Sequence, residues 1–329
     1  MNDNLLEVSE LRTWFHTFRG VVKAVDGVSF SLKKGEVLGI VGESGCGKSI
    51  TGFSILKLID PPGRIENGRI LFHGEDLVGK SEEDMQAIRG NKISMVFQDP
   101  MTSLNPLYTV GQQIEESLRL HQRQLTARER RDKAVELLRI VGIPSPEERI
   151  GSYPHEFSGG MRQRVIIAIS LATNPELIIA DEPTTALDVT VQAQIIRRLL
   201  ELVRKENTSL ILITHDLALI SQAVDKVVVM YCGKVVESGP VAAIIAAPEH
   251  PYTIGLLRSI PRLDGEQKRL EQISGMVPSP FALPPGCKFE PRCRFCRDIC
   301  RQHEPAAVDL GSGHTVACHF PVKGGLADE

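Results

Sequence analysis

The chain has 329 residues, enough for about two domains and for a large core without disulfide staples. Lys plus Arg number 38 and Asp plus Glu 41, a formal net charge of -3, which excludes a globally basic nucleic-acid binder. Charged residues at 24% and hydrophobic residues at 42% exclude a disordered chain, and no apolar run approaches the ~20 residues that cross a bilayer.

Met1–Phe15 carries Asp3, Glu7 and Glu10 and no apolar stretch of signal-peptide type, so a cytosolic chain, or one attached to a membrane by a partner, is expected. Residues 4–41 read as strands and turns, with Val21–Leu32 roughly alternating and Val37–Val41 a short apolar run of buried-strand type. Gly42–Ser49 is glycine-rich, and Ile50–Ile59 has helical spacing until Pro61-Pro62-Gly63. Gly68–His73 and Lys92–Gln98 read as further strands. From Val110 to Val141 charged helix formers carry apolar residues at helical intervals, which predicts a helical insert within about 100–160. Gly160–Thr173, Val189–Lys205 and Leu217–Val224 then read as helices, alternating with strands at Leu177–Ala180, Ser209–Thr214 and Lys226–Tyr231. That alternation predicts an α/β fold with a mostly parallel sheet covered on both faces. Beyond 240 the pattern degrades into Pro-, Cys- and His-rich sequence with a helical piece near Pro251–Ser259. The predicted division is therefore a unit at 1–240 and an appended region at 241–329.

Gly42-Glu43-Ser44-Gly45-Cys46-Gly47-Lys48-Ser49 fits G-x-x-x-x-G-K-[ST] after a strand and before a helix. Glycines let the backbone wrap around phosphate, with N–H groups pointing inward at a helix N-terminus. Lys48 is expected at the β- and γ-phosphates and the Ser49 hydroxyl on Mg²⁺. A dinucleotide fingerprint is excluded, because Ile50 stands where its third glycine would. Cys46 reads as a small loop residue. The apolar run Leu177–Ala180 ends in Asp181 and Glu182, which supply a second Mg²⁺ partner and a base that could orient water.

Further segments carry a resemblance. Phe157-Ser158-Gly159-Gly160-Met161-Arg162-Gln163-Arg164 resembles the signature motif of ABC ATPases. Gln98 resembles their Q-loop glutamine, Ala186-Leu187-Asp188 their D-loop and Thr214-His215-Asp216 their switch histidine, all in the family's order. The resemblance implies a P-loop NTPase core with an antiparallel β subdomain and a helical insert. It implies nucleotide contacts from Gly42, Ser44, Gly45, Cys46, Gly47, Lys48, Ser49 and Ile50. Glu182, His215 and Gln98 become catalytic candidates, with Gln98 also a ligand of Mg²⁺ beside Ser49 and Asp181. Ser158, Gly159, Gly160 and Asp188 close on ATP held by a second subunit. Met161 departs mildly from the glutamine of many relatives, with the Ser-Gly-Gly core intact. An aromatic platform for adenine is sought in Trp14, Phe15 and Phe18, with Phe15 preferred against a packing role.

Gln98–Pro106, Tyr153–Phe157 and His250–Thr253 resemble the oligopeptide/dipeptide permease ATPases, nearest the first of their two paired ATPases. Of seven cysteines, five crowd the end of the chain. Such crowding favours metal over disulfides in a reducing compartment. Cys287, Cys293, Cys300 and Cys318 have the spacing of this subfamily's Cys-rich C-terminal extension, which implies a 4Fe-4S cluster, with Zn²⁺ as the alternative. Cys296 offers a rival ligand set with Cys293 and Cys300, and His303, His314 and His319 stand nearby. Arg292, Arg294, Arg297 and Arg301 could offset thiolate charge or form a solvated face.

The expected function is ATP hydrolysis driving uptake of dipeptides or oligopeptides across the cytoplasmic membrane. The chain would sit peripherally on the cytoplasmic face of the inner membrane. Expected partners are two membrane-spanning permease subunits, docked at the helical insert, and a sibling ATPase or a second copy. An extracytoplasmic peptide-binding protein takes part indirectly, and no nucleic acid is expected. The alternatives are a nickel importer of the same family, or a soluble ABC-type ATPase. The single cassette and short insert weigh against the latter.

Overall fold

A computed structural model describes residues 4–184, 188–259 and 272–322. The chain divides into two compact units. The first comprises Met1–Leu32, Val37–Val78 and Ile213–Glu329, and the second Lys33–Glu36 and Gly79–Leu212.

In the first unit, Asn4–Thr17 pairs antiparallel with Gly63–Phe72, Val8 opposite Ile70 and Phe15 opposite Gly63. Gly20–Lys33 and Glu75–Asp76 flank that pair to make a four-stranded sheet. Leu6 and Val8 turn inward by alternation, and Leu11 and Thr13 do so after the register shifts beyond Ser9. A second set of strands carries the glycine-rich loop. Val37–Val41, buried throughout, runs parallel to Lys226–Tyr231 with Val41 opposite Val229. Lys226–Tyr231 turns antiparallel into Lys234–Pro240, which pairs in turn with His314–Val316. The helix Leu217–Ala223 lies so close to Val37–Val41 that a Cβ on Gly39 would stand 2.6 Å from Ile220 Cδ1.

In the second unit, Ile93–Val96 runs parallel to Leu177–Asp181, Val96 opposite Ala180. The strand Ser209–Thr214, through which the division of the chain passes, lies beside Leu177–Asp181. The helical insert is two principal helices, Val110–His121 and Ala127–Ile140. Each begins with a capping box, Thr109 with Gln112 and Thr126 with Glu129. Ile114 and Leu118 on the first and Ala134, Leu137 and Leu138 on the second are buried. Among the described residues no helix is long and apolar enough to cross a membrane.

The expected strands and helices are present, with four corrections. The helix expected over Ile50–Ile59 is Lys48–Ile55, because Gly47 takes a φ of 102° immediately before it and Lys57 a φ of 51° just beyond it. The continuous helical reading of 110–141 is broken at Gln122, where the Thr126 cap starts a new helix. The helix Glu82–Ile88 was signalled only by the Ser81/Asp84 capping box. The loss of pattern near 240 conceals the strand Lys234–Pro240 and the hairpin Val308–Gly311 with His314–Val316.

Candidate nucleotide site and cysteine pocket

The strand Val37–Val41 delivers the chain into Gly42–Ser49, and the helix Lys48–Ile55 begins inside the motif. Glycine is required at two points. A Cβ on Gly42 would fall 2.2 Å from the Met230 carbonyl oxygen, and one on Gly47 2.2 Å from that of Ala24. Each backbone therefore passes against a neighbouring strand or its end. Gly45, by contrast, would meet nothing within 4 Å, so its φ of 79° is what calls for glycine. The Lys48 ammonium is buried and donates to the carbonyls of Gly42 at 2.8 Å and Glu43 at 3.1 Å. Its charge thus sits inside the loop. The Thr51 hydroxyl donates to Gly47 O at 2.9 Å, and the Gly233 N–H donates to Cys46 O at 2.9 Å. Cys46 is buried, and that burial pushes its thiol pKa up. Its side chain packs inside the loop.

Glu43 is held on both its backbone and its side chain. Its N–H donates to Tyr252 Oη at 2.8 Å, and Arg292 grips its carboxylate with two nitrogens at 2.6 and 3.0 Å. Arg292 also donates to Tyr231 Oη at 3.3 Å, and burial drives the Tyr231 phenol up to about 12. Sequence reasoning missed this grip, having read Arg292 only as an offset to thiolate charge or part of a solvated face, whereas its side chain is buried against Glu43. His215 follows the strand Ser209–Thr214 and is exposed. The neighbouring Asp216 caps the next helix by accepting from Leu219 N at 3.1 Å.

In the second unit, Asp181 ends a strand buried along its whole length and is itself buried. Glu182 follows with a φ of 42°, in the left-handed region. Gln98 lies just past the adjacent parallel strand and donates through Nε2 to Glu182 Oε2 at 3.0 Å. Two residues expected to serve one reaction are therefore joined at the carboxyl ends of neighbouring parallel strands, where ligands bind in open α/β sheets. The buried Asp181 carboxylate is an oxygen donor of the kind that suits a hard cation such as Mg²⁺. Ser158 caps the helix Gly159–Leu171, its Oγ accepting from Met161 N at 3.3 Å. Gly160 is pressed close, since a Cβ there would stand 2.9 Å from Val191 Cγ1. Asp188 caps Val189–Lys205, accepting from Val191 N at 2.9 Å, while Ala186 and Leu187 of the same motif lie outside the described residues.

Phe15 is half-buried against Gly63, whose Cβ would strike the Phe15 ring at 2.5 Å. Trp14 carries the Lys23 ammonium 4.6 Å from its ring centroid, and Phe18 is 96% exposed.

Cys287, Cys293, Cys300 and Cys318 line one pocket, with Phe289 and His319 among its other walls. Burial pushes the thiols of Cys287, Cys293 and Cys318 up to about 11. Cys296 points elsewhere, toward Glu290 Oε2 and Arg297 O, both at 3.7 Å. His314 is engaged with Glu237 at 2.8 Å. Four sulfurs in one pocket fit a thiolate-bound centre chemically. Among the described residues, however, no group of three or more His, Cys, Asp or Glu is arranged to hold a metal ion.

A family profile described as ABC transporter matches residues 25–185, and one described as oligopeptide/dipeptide transporter, C-terminal region, matches residues 236–300. The dipeptide transport ATP-binding protein of Escherichia coli (strain K12) is 51% identical over 318 residues, covering 97% of each chain. An oligopeptide transport ATP-binding protein of Bacillus subtilis (strain 168) is 52% identical over 315 residues, covering 95% of this chain and 96% of that one. Among solved structures, an ATP-binding cassette captured as a dimer in a post-hydrolysis state with ADP and Pi superposes with a TM-score of 0.65. It is 26% identical over 72% of this chain and 98% of that one.

Proposed function

The chain belongs to the ATP-binding proteins of dipeptide and oligopeptide ABC transporters, and on that premise we propose how its residues couple ATP hydrolysis to peptide uptake. The observation that carries the reading is the complete phosphate loop with its buried lysine, in a chain that also joins Gln98 to Glu182.

The loop N–H groups and Lys48 hold the β- and γ-phosphates of ATP, the ammonium exchanging carbonyl partners for phosphate oxygens. Mg²⁺, held by Ser49, Asp181 and Gln98, would offset phosphate charge when bound. Gln98 and Glu182 orient the attacking water, and Glu182 accepts its proton as the oxygen bonds to the γ-phosphorus and the bond to the ADP oxygen breaks. His215 contacts the γ-phosphate, and Phe15 stacks on adenine. Ser158, Gly159, Gly160 and Asp188 complete the site of a second ATPase subunit, whether a sibling or a copy of this chain.

In this reading residues 1–240 form the cassette and 241–329 the family's C-terminal extension. The chain works at the cytoplasmic face of the inner membrane on two membrane-spanning permease subunits. An extracytoplasmic binding protein delivers peptide. Cys287, Cys293, Cys300 and Cys318 hold a 4Fe-4S cluster, or Zn²⁺ in its place, and the shared pocket supports that set over one using Cys296.

Lys48→Ala tests the nucleotide site directly. It removes the cation inside the loop, and ATP affinity measured by calorimetry on the full chain should fall steeply. Unchanged affinity contradicts the reading.

A further inference from the structure

The loop residue Glu43 is gripped from a segment far away in sequence. Arg292 places two guanidinium nitrogens on its two carboxylate oxygens, at 2.6 and 3.0 Å, in the parallel geometry that makes Arg–carboxylate pairs strong and directional. The pair is sheltered, with the Arg292 side chain 4% exposed and that of Glu43 29%. Arg292 is in turn fixed. Its Nε donates to Ser274 O at 3.1 Å, and its guanidinium lies 5.8 Å from the Tyr231 ring and 5.9 Å from that of Phe289. Tyr231 ends the strand that runs parallel to Val37–Val41, the strand leading into the loop. Tyr252 fixes the Glu43 N–H at 2.8 Å.

Two consequences follow from the charges. Glu43 sits in a loop built to receive phosphate, and an unneutralised carboxylate there opposes a polyphosphate. The Glu43 carbonyl also accepts from Lys48 Nζ, so displacing Glu43 disturbs the lysine. We propose that Arg292 is a positioning residue for the nucleotide site, holding and neutralising Glu43 so that the phosphate loop keeps its binding form. The inference rests on the nucleotide-binding reading above and adds a role for the C-terminal segment in it. Arg292 also directly precedes Cys293, so the segment that walls the cysteine pocket is the one that reaches the loop.

The test measures binding of a non-hydrolysable ATP analogue with Mg²⁺ to the full chain by calorimetry. The set is wild type, Arg292→Met, Arg292→Lys and the double variant Arg292→Met with Glu43→Gln. Loss of the guanidinium should weaken binding about tenfold, within the usual range for coupled sites. Lysine, which keeps a charge but not the paired donors, should fall between wild type and methionine. The double variant should recover most of the loss, because the opposing carboxylate is gone. Recovery separates charge and positioning from simple packing, which Glu43→Gln does not repair. Binding within twofold of wild type in Arg292→Met overturns the proposal, as does a double variant no better than Arg292→Met. If Arg292→Met does not fold, Arg292→Lys decides: a severalfold loss supports the role and unchanged binding overturns it. Failure of the broader reading looks different. There wild type itself binds no analogue, and this inference falls with it.

Discussion

Glu182 is held at a φ of 42°, a conformation that costs a non-glycine residue about 1–3 kcal/mol and persists only where surrounding structure enforces it. Its carboxylate accepts from Gln98 Nε2 at 3.0 Å, so the strained backbone and the side-chain contact act on one group. As the proposed base, it gives a sharp residue-scale prediction. Glu182→Gln should still bind ATP, since the phosphate loop is untouched, but should turn over ~10²–10⁴-fold more slowly. The check is single-turnover hydrolysis with both sites of the assembled pair followed separately, so that a sibling's activity does not mask the loss. Wild-type turnover at the variant's own site would remove Glu182 from the mechanism.

At the scale of elements, the C-terminal segment is tied into the first unit through buried polar groups. Glu237, fully buried on Lys234–Pro240, accepts from Glu249 N at 2.7 Å, His250 N at 3.0 Å and His314 Nε2 at 2.8 Å. His250 caps Pro251–Arg258 through Nδ1, which accepts from Tyr252 N at 3.0 Å and so must carry no proton. Burial lowers its pKa from 6.5 to about 3. Below pH 6.5 the unfolded chain therefore takes up a proton that the folded one refuses. This contribution to stability is complete above 6.5 and is lost as pH falls toward 3. Between pH 6.5 and 5 the loss amounts to about 2 kcal/mol. Urea unfolding at the two pH values should show that loss in wild type. His250→Asn retains an acceptor without a proton-binding site, and its pH dependence should be smaller by about this amount. Equal slopes in the two proteins would sink the assignment.

The cysteine pocket belongs to the same scale. Anaerobically purified protein should carry iron and sulfide, or zinc, measured by elemental and sulfide analysis. Cys287→Ser and Cys318→Ser should lose it and Cys296→Ser should keep it, because Cys296 turns toward Glu290 and Arg297. The reverse pattern would select the rival ligand set.

For the whole molecule, the proposed mechanism needs two subunits. Ser158 stands exposed at the start of Gly159–Leu171, an N-terminus suited to an anion from elsewhere. Without partners, ATPase activity of the chain should rise more steeply than the first power of its concentration, because two half-sites must meet. Strictly first-order activity across a wide dilution series would argue against the paired arrangement. At this scale the chain's net charge of -3 supplies no global attraction to an anionic membrane surface.

Local chemistry was legible in the sequence wherever a short stretch of residues defines it. Gly42–Ser49 announces a phosphate loop because glycines, lysine and hydroxyl must follow one another at fixed spacing. The runs Ser209–Thr214 and Lys226–Tyr231 were bounded correctly because a strand buried on both faces is almost continuously apolar. The cap at Thr126 was also written locally, yet the periodicity on either side of it hid the break between two helices. Tertiary structure alone decided what distant residues do together. Glu43 and Arg292 are 249 positions apart, and no pattern in either neighbourhood encodes their pairing. The strand His314–Val316 is short and forms because Lys234–Pro240 offers it an edge. The four pocket cysteines are separated from Cys296 by the direction their side chains take, which spacing does not contain. Propensity and motif are properties of a few adjacent residues, whereas an ion pair, a sheet edge and a pocket exist only once the chain has returned to itself.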